Sequence, residues 1–506
     1  MKHYDLTAYS DLLSTLDLLE DVDYLTSDQI MVKGLTYNSK EVEPGTLFIC
    51  KGANFKKEYL LEAVKRGAIG YISEEQYDVG DAISSFIVSD IRKAMPYLAE
   101  LFFNAPASKL KLIAVGGTKG KTTTTHFIKS ILDTNLEKQG KKPSGLISSI
   151  QVFDGLAETP ANNTTPEAIL LHRYLANAVS AGLEYVVLEV SSQALKYNRV
   201  DCIEFDVGIF LNISKDHISP IEHTDFEDYF QSKMKMFEHT KIAVLSFDSS
   251  LYQKVLGYTN QTENVYNYSV HSVDADYYGY DISTEISGAH FKVKGPDFNE
   301  DFTLSMPGEF NVDNALAAIA ATSALGIPHK DAIEGLKNVK VPGRMEIWDS
   351  KDGLLTTIVD YAHNKLSYES LYSSLRSYYP DAHITAVFGA RGGKAYNRRQ
   401  EFGEIVGLYA DEAILTMIHP DMEELEDINN AIAVHIDKKN VPYKMIDDRE
   451  EAIREAIFTQ NGRKIVVVTG RGHENFQKVK GEYFSTPSDI EYVQQLMKEY
   501  DEKFPV

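Results

Sequence analysis

Cysteine is nearly absent: Cys50 and Cys202 are the only two in 506 residues. That excludes a disulfide-built fold and a cysteine metal cluster, and it fits a reducing cytoplasm. Long apolar runs are missing too, and none is long enough to span a bilayer. The opening MKHYDLTAYSDLL lacks the basic-then-apolar shape of an export signal, so a cytoplasmic location is expected. Positive charge is scarce: 51 Lys and Arg face 74 Asp and Glu, a net charge of -23. This argues against nucleic-acid binding, yet a glycine loop with a few cations can still take an anionic substrate. No internal repeat and no low-complexity segment is present. What remains is ordinary globular composition in a chain too long for one core, so three domains are expected.

The chain is organised around residues 109–132, KLKLIAVGGTKGKTTTTHFIKSIL. Leu110 to Val115 is a short apolar run that reads as a buried strand. Gly116, Gly117, Thr118, Lys119, Gly120, Lys121, Thr122 and Thr123 follow, and then His126-Phe127-Ile128 and Ile131-Leu132 recur at helical spacing. Strand, glycine loop and helix make a phosphate cradle, because backbone N–H groups turn inward and the helix N-terminus adds partial positive charge. Lys121 can reach outer phosphates, and the Thr122 hydroxyl can ligate Mg²⁺. The general P-loop spacing is met imperfectly, since its first glycine falls at Val115.

Three segments are expected. Residues 1–105 carry short strands around Gly34–Tyr37 and Thr46–Cys50, with Ser39, Lys40 and the 51–57 lysines on a loop that by pattern alone is a solvated one. Residues 106–340 alternate strands (Tyr185–Val190, Phe205–Leu211, Ile242–Phe247) with helical stretches, so a parallel α/β sheet is expected. Residues 258–305 alternate apolar and polar, which suggests added antiparallel strands. Residues 341–506 open on Val341-Pro342-Gly343-Arg344, a turn and linker signal. They continue as a second α/β domain with strands at Thr356–Val359, Ile384–Phe388, Glu412–Thr416 and Ile465–Thr469.

Ligands in such sheets lie beyond the carboxyl ends of strands. There the chain has Glu189 with Ser191-Ser192-Gln193, and Asn212 with Asp216-His217. Glu189 and His217 read as Mg²⁺ ligands beside the P-loop. Lys233 is a surface lysine by pattern alone. In the last segment Asp360-Tyr361-Ala362-His363-Asn364, the loop GARGGKAYNRR (389–399) and the loop TGRGHENFQ (469–477) each follow a strand and suggest a binding rim.

Gly117-Thr118-Lys119-Gly120-Lys121-Thr122-Thr123, Asn163-Thr164-Thr165-Pro166, Glu189-Val190-Ser191-Ser192-Gln193, Tyr229 with Lys233, Gly308 with Asn311 and Asn314, Val341 to Glu346 and Asp360-Tyr361-Ala362-His363 stand in one order. Across essentially the whole chain this order resembles the Mur ligases of peptidoglycan synthesis, and most of all those adding the third amino acid. The resemblance implies a UDP-sugar domain, a central ATPase and a Rossmann-like C-terminal domain. It implies ATP and Mg²⁺, and an acyl phosphate on the D-Glu γ-carboxylate of UDP-N-acetylmuramoyl-L-Ala-D-Glu that an amino acid then attacks. Gly117 to Thr123, Asn314, Arg344 and Asp360 would meet ATP. Ser39 would meet the uridine nucleotide, and Thr164, Thr165, Ser191, Gln193 and Arg199 the muramoyl dipeptide. Lys121, His217 and Lys233 would serve the reaction, with Lys233 carbamylated to hold a second Mg²⁺. Lys394, His419, Asp421, Gly470 and Glu474 would meet the incoming amino acid, Glu474 through its amino group. A monomer without membrane or nucleic-acid partners is implied.

The amino acid itself is read from Ile418-His419-Pro420-Asp421. Diaminopimelate enzymes of the family carry Asp-Asn-Pro-Arg there, and lysine enzymes usually Asp-Asn-Pro-Ala or Asp-Asp-Pro-Asn. This chain departs from all of them. An acid at 421 would repel a second carboxylate and tolerate an ammonium, which points to L-lysine and leaves ornithine or an unusual amino acid open. Folylpolyglutamate synthases share the ATPase core but lack the Tyr37-Asn38-Ser39-Lys40 region. A non-catalytic relative would be expected to lose some of Lys121, Glu189, His217 and Lys233.

Overall fold

The structure is a computed structural model that describes residues 3–24, 29–52, 55–79, 83–215, 218, 222–459 and 462–505. The chain packs as two compact units. The first comprises residues 1–281, 291–302 and 313–337; the second comprises 282–290, 303–312 and 338–506.

The first unit begins with β1 (Leu19–Asp23), β2 (Gly34–Thr36), β3 (Thr46–Ile49), β4 (Ala68–Ser73) and β5 (Ser84–Val88), in the order β1-β5-β4-β3-β2. β2 to β5 run parallel, and β1 pairs antiparallel with β5. Helix Ile91–Phe102 starts where the Asp90 carboxylate accepts from the N–H groups of Arg92 and Lys93, an N-cap that settles two of the helix's orphan donors. Its apolar side closes over this sheet. The expected boundary near residue 105 falls inside this unit. Ala168 and Ile169, far along the chain, join the core formed by Leu98, Phe102 and Phe103.

The central sheet follows with β6 (Lys111–Gly116), β7 (Gly145–Ile147), β8 (Gln151–Phe153), β9 (Glu158–Pro160), β10 (Tyr185–Glu189), β11 (Phe205–Phe210), β12 (Thr240–Ser246), β13 (Asn264–Ser269) and β14 (Tyr277–Glu285). Their order is β14-β13-β12-β11-β6-β10-β7-β8-β9. β6, β10 and β11 are buried along nearly their whole length, as a parallel strand covered on both faces must be. The antiparallel expectation for residues 258–305 is corrected for the first two of their strands. β13 pairs parallel with β12, and β14 pairs parallel with β13. Alternating polarity reports that one face is wet, not which way a strand runs. Helix Tyr252–Leu256 carries the chain back across the sheet before β13, so β13 re-enters in the same direction. Strands β15 (Gly288–Lys294) and β16 (Asn299–Leu304) follow in the chain.

The second unit holds β17 (Glu346–Asp349), β18 (Leu355–Asp360), β19 (His383–Phe388), β20 (Glu412–Leu415), β21 (Tyr443–Met445) and β22 (Lys464–Thr469), in the order β17-β18-β22-β19-β20-β21. All neighbours run parallel except β17, which pairs antiparallel with β18. β17 begins just past the Val341-Pro342-Gly343-Arg344 turn that reads as a linker. A separate hairpin, β23 (Phe476–Val479) with β24 (Glu482–Ser485), emerges from the loop that follows β22. Helix Asp489–Lys503 opens on a capping box between Ser488 and Glu491.

Candidate active site

The glycine loop is gripped from the neighbouring strand. After β11, the Asn212 side chain accepts from the Lys119 N–H at 2.9 Å and donates to the Lys119 carbonyl at 3.2 Å, while its own carbonyl accepts from the Thr118 N–H. The Thr118 hydroxyl is turned inward to Tyr229, 3.0 Å away. Gly120 has φ +83, and a Cβ there would stand 2.2 Å from the Asn314 Oδ1. The structure thus joins two residues, Gly120 and Asn314, that the sequence assigns to ATP. Gly120→Ala should cost about 1–3 kcal/mol through left-handed strain and this clash. Its measurable result is nucleotide binding weakened about fivefold to a hundredfold where that cost falls on the loop conformation, since 1.4 kcal/mol is a factor of ten.

Two lysines converge on one carbonyl. The Lys121 Nζ donates to the Gly117 carbonyl at 3.0 Å and to the Thr118 carbonyl at 3.1 Å. The Lys233 Nζ donates to the same Gly117 carbonyl at 2.8 Å and lies over the Tyr229 ring. Lys233 is only 3% exposed, which corrects its reading as a surface lysine. Helix Phe226–Met234 turns that face inward.

Oxygen donors collect beside the loop. The Thr122 hydroxyl lies 2.9 Å from the Ser149 hydroxyl, and the Glu189 carboxylate accepts from the N–H and hydroxyl of Ser149. Glu189 is 1% exposed. Carboxylate and hydroxyl oxygens suit a hard cation such as Mg²⁺. Sequence reasoning missed Ser149, which has no motif around it. His217 lies outside the described residues.

The residues assigned to the muramoyl dipeptide divide. Thr165 is fully buried; its hydroxyl donates to the Glu189 carbonyl and accepts from the Ser191 N–H, so it shapes the turn after β10. The Ser191 hydroxyl caps helix Ser192–Lys196. The Gln193 amide reaches Glu222 at 3.4 Å, and Thr164 is half-buried beside Thr165. Arg199 donates to the Thr165 carbonyl and pairs with Glu167 at 2.6 Å; Lys51 pairs with the other Glu167 oxygen. Arg92 stacks on Tyr197 in the same cleft, so three cations and one carboxylate line it. Burial lowers the Lys51 pKa, against the hydrogen bond to Glu167 that raises it. Ser39 is buried, with its hydroxyl donating to Glu62.

In the second unit, three loops meet beyond the carboxyl ends of β18, β19 and β22. Asp360 accepts from the N–H groups of Met345 and Ala362, and burial raises its pKa despite nearby Arg344. The Arg344 guanidinium lies 4.7 Å over the Tyr361 ring. Arg391, Lys394 and Arg398 line a recess with His363, Ile418 and Gly470. Gly470 is needed there, because a Cβ would meet the Ile418 Cδ1 at 2.3 Å. Lys394 and Gly470 thus line the same recess.

Three expectations for this rim change. Glu474 is taken up by the protein: Arg391 donates to it at 2.6 Å, the Tyr361 hydroxyl at 2.7 Å and the His419 Nε2 at 2.8 Å. Burial would raise its pKa, but the His419 hydrogen bond and the Arg391 charge outweigh that and hold it at about 2. Glu474 therefore anchors Arg391, with two donors on Oε1 and one on Oε2. His419 has both ring nitrogens engaged, the second accepting from the Lys478 N–H at 3.1 Å. Asp421 pairs with the Lys478 Nζ at 2.7 Å, which removes the free negative charge assumed at 421. Arg391 itself, inside the glycine-rich loop, was the legible residue left unassigned.

Glycine loop, paired lysines and a hydroxyl–carboxylate cluster define a P-loop phosphate-binding enzyme of the α/β class. The Mur ligase middle domain matches residues 115–322, and the Mur ligase glutamate ligase domain matches residues 343–472. The chain is 39% identical over 464 residues to the UDP-N-acetylmuramoyl-L-alanyl-D-glutamate--L-lysine ligase of Enterococcus faecalis, covering 90% of each. It is 38% identical to the protein of that name from Streptococcus thermophilus, covering 92% of each. A solved UDP-N-acetylmuramoyl-L-alanyl-D-glutamate--2,6-diaminopimelate ligase shares the fold with TM-score 0.66 over 99% of each chain at 23% identity. The chain belongs to the Mur ligase family.

Proposed function

We propose that this enzyme uses ATP to join L-lysine to the D-Glu γ-carboxylate of UDP-N-acetylmuramoyl-L-Ala-D-Glu. The observation that carries the reading is the pair of lysine-ligase relatives near 40% identity over nine tenths of the chain. The P-loop geometry fits it. The γ-carboxylate attacks the terminal phosphorus, ADP leaves, and the amino acid's amine then displaces phosphate from the acyl phosphate. Lys121 neutralises charge on the transferred group and the helix from Lys121 to Lys138 points its N-terminus at it. Thr122, Ser149 and Glu189, with His217 and a carbamylated Lys233, would hold Mg²⁺, whose chemistry is to neutralise phosphoryl oxygens.

The cleft of Lys51, Arg92 and Arg199 suits the anionic UDP-sugar dipeptide. Arg391, fixed by Glu474, suits the incoming α-carboxylate. We further propose three domains, 1–105, 106–340 and 341–506, in a cytoplasmic monomer. Among the described residues no helix is long and apolar enough to cross a membrane.

Because Lys478 neutralises Asp421, the choice of lysine rests on the relatives and not on a bare acid at that position. Phosphate release with purified protein, Mg-ATP and the UDP-muramoyl dipeptide, one amino acid at a time, tests it. L-lysine should exceed meso-diaminopimelate and ornithine by at least about a hundredfold in kcat/KM. Release favouring diaminopimelate would overturn the amino-acid assignment and leave the ligase standing.

A further inference from the structure

We infer that His419 is a positioning residue: it ties the β23–β24 hairpin to Glu474 and thereby sets the guanidinium of Arg391 for the incoming amino acid. This rests on the ligase reading above.

The imidazole is 5% exposed and stacks on Phe476, centroids 5.2 Å apart. Its Nδ1 accepts from the Lys478 N–H at 3.1 Å, so Nδ1 carries no proton. Its Nε2 lies 2.8 Å from the Glu474 Oε2 and must be the protonated nitrogen, donating to an ionised carboxylate. The geometry assigns one tautomer of a neutral ring, and burial, which lowers the His419 pKa, agrees with it.

Each end of this bridge is fixed. Two residues on, the Asp421 N–H donates to the Lys478 carbonyl at 3.0 Å, and the Lys478 Nζ returns to the Asp421 carboxylate at 2.7 Å. The 419–421 loop therefore holds the hairpin strand by backbone and side chain together. At the other end, the Glu474 Oε1 takes the Arg391 Nη2 and the Tyr361 hydroxyl, and Arg391 Nη2 also donates to that hydroxyl at 3.1 Å. Arg391 reaches the recess beside Ile418 and Gly470. Without the ring, Oε2 loses its donor, the carboxylate can rotate, and Arg391 loses the fixed plane that a bidentate carboxylate contact requires.

The test is kinetic and spectroscopic, on the full chain. His419→Ala should raise KM for L-lysine about tenfold, the size of one lost charge-assisted hydrogen bond. KM for ATP and for the UDP-dipeptide should stay within about twofold, a split that general unfolding would not produce. His419→Gln places an amide donor near the Nε2 position and should bring KM back to within about threefold of wild type. His419→Asn reaches only the Nδ1 position and should not. An unchanged KM in His419→Ala, or rescue by Asn and not by Gln, overturns the inference. ¹⁵N NMR of the wild-type imidazole, identified as the signal lost in His419→Gln, should show the neutral Nε2–H tautomer at pH 7. A Nδ1–H or doubly protonated ring overturns it independently of any activity. A wild type that ligates no amino acid sinks the ligase reading and the Arg391 role with it; a wild type that ligates lysine with KM unmoved in His419→Ala sinks the role of His419 alone.

Discussion

Lys121→Ala is expected to lower phosphate release about a thousandfold, the upper end for removing one preorganised donor from a developing charge. The side chain is half-buried, and its ammonium rests on the Gly117 and Thr118 carbonyls. Those carbonyls belong to the glycine loop, so under the proposed function the ammonium would already stand beside the arriving negative charge. Lys233 shares the Gly117 carbonyl but is 3% exposed and packed on Tyr229, so it cannot swing out to substitute. Lys121→Arg should recover little, because a planar fork does not fit a site shaped for a compact ammonium. Removing a half-exposed chain should move Tm by no more than about 2 °C. A loss smaller than about tenfold would mean that Lys121 holds the empty loop and not the transition state.

The largest effect on stability is expected at Arg449→Met. The Arg449 guanidinium makes a bidentate pair with Asp489 at 3.0 and 2.9 Å, and it donates to the Thr469 carbonyl at 2.8 Å. Arg449 and Asp489 are 1% and 0% exposed at their side chains. Asp489 also accepts from the Gly472 N–H at 3.1 Å, so the pair ties the first turn of helix Asp489–Lys503 to the loop that carries Glu474. Removing the cation strands a carboxylate away from water, at about 3–5 kcal/mol. Denaturant unfolding, with hydrogen exchange followed in helix Asp489–Lys503, measures the loss. The double variant Arg449→Met, Asp489→Leu should recover most of it, since two apolar groups leave no charge to solvate. A loss below about 1 kcal/mol in the single variant would mean that water reaches Asp489.

Reading the chain alone located the parts that are local. The P-loop stood out because strand, glycines and helix are contiguous: Gly117 to Gly120 form the loop and Lys121 to Thr123 the first turn of the helix. The β6, β10, β11, β12, β18, β19, β20 and β22 strands fall where apolar runs predict them. β17 was missed because it follows directly on the proline–glycine turn at 341–344, whose signal masks the short strand behind it. The direction of β13 and β14 was lost because alternation is blind to direction.

The candidate site was legible by residue type and much less by role. Arg391 and Glu474 are 83 residues apart, Asp421 and Lys478 are 57, and Lys233 and Gly117 are 116. Periodicity carries no information at such separations. The sequence by itself determined the phosphate cradle, the alternating architecture and the family, because backbone conformation and amphipathic spacing are short-range properties. Tertiary packing alone decided which charges meet. An ion pairs with whatever opposite charge the fold brings within about 3 Å, so the part-exposed Asp421 became the partner of Lys478, and the largely buried Glu474 the anchor of Arg391.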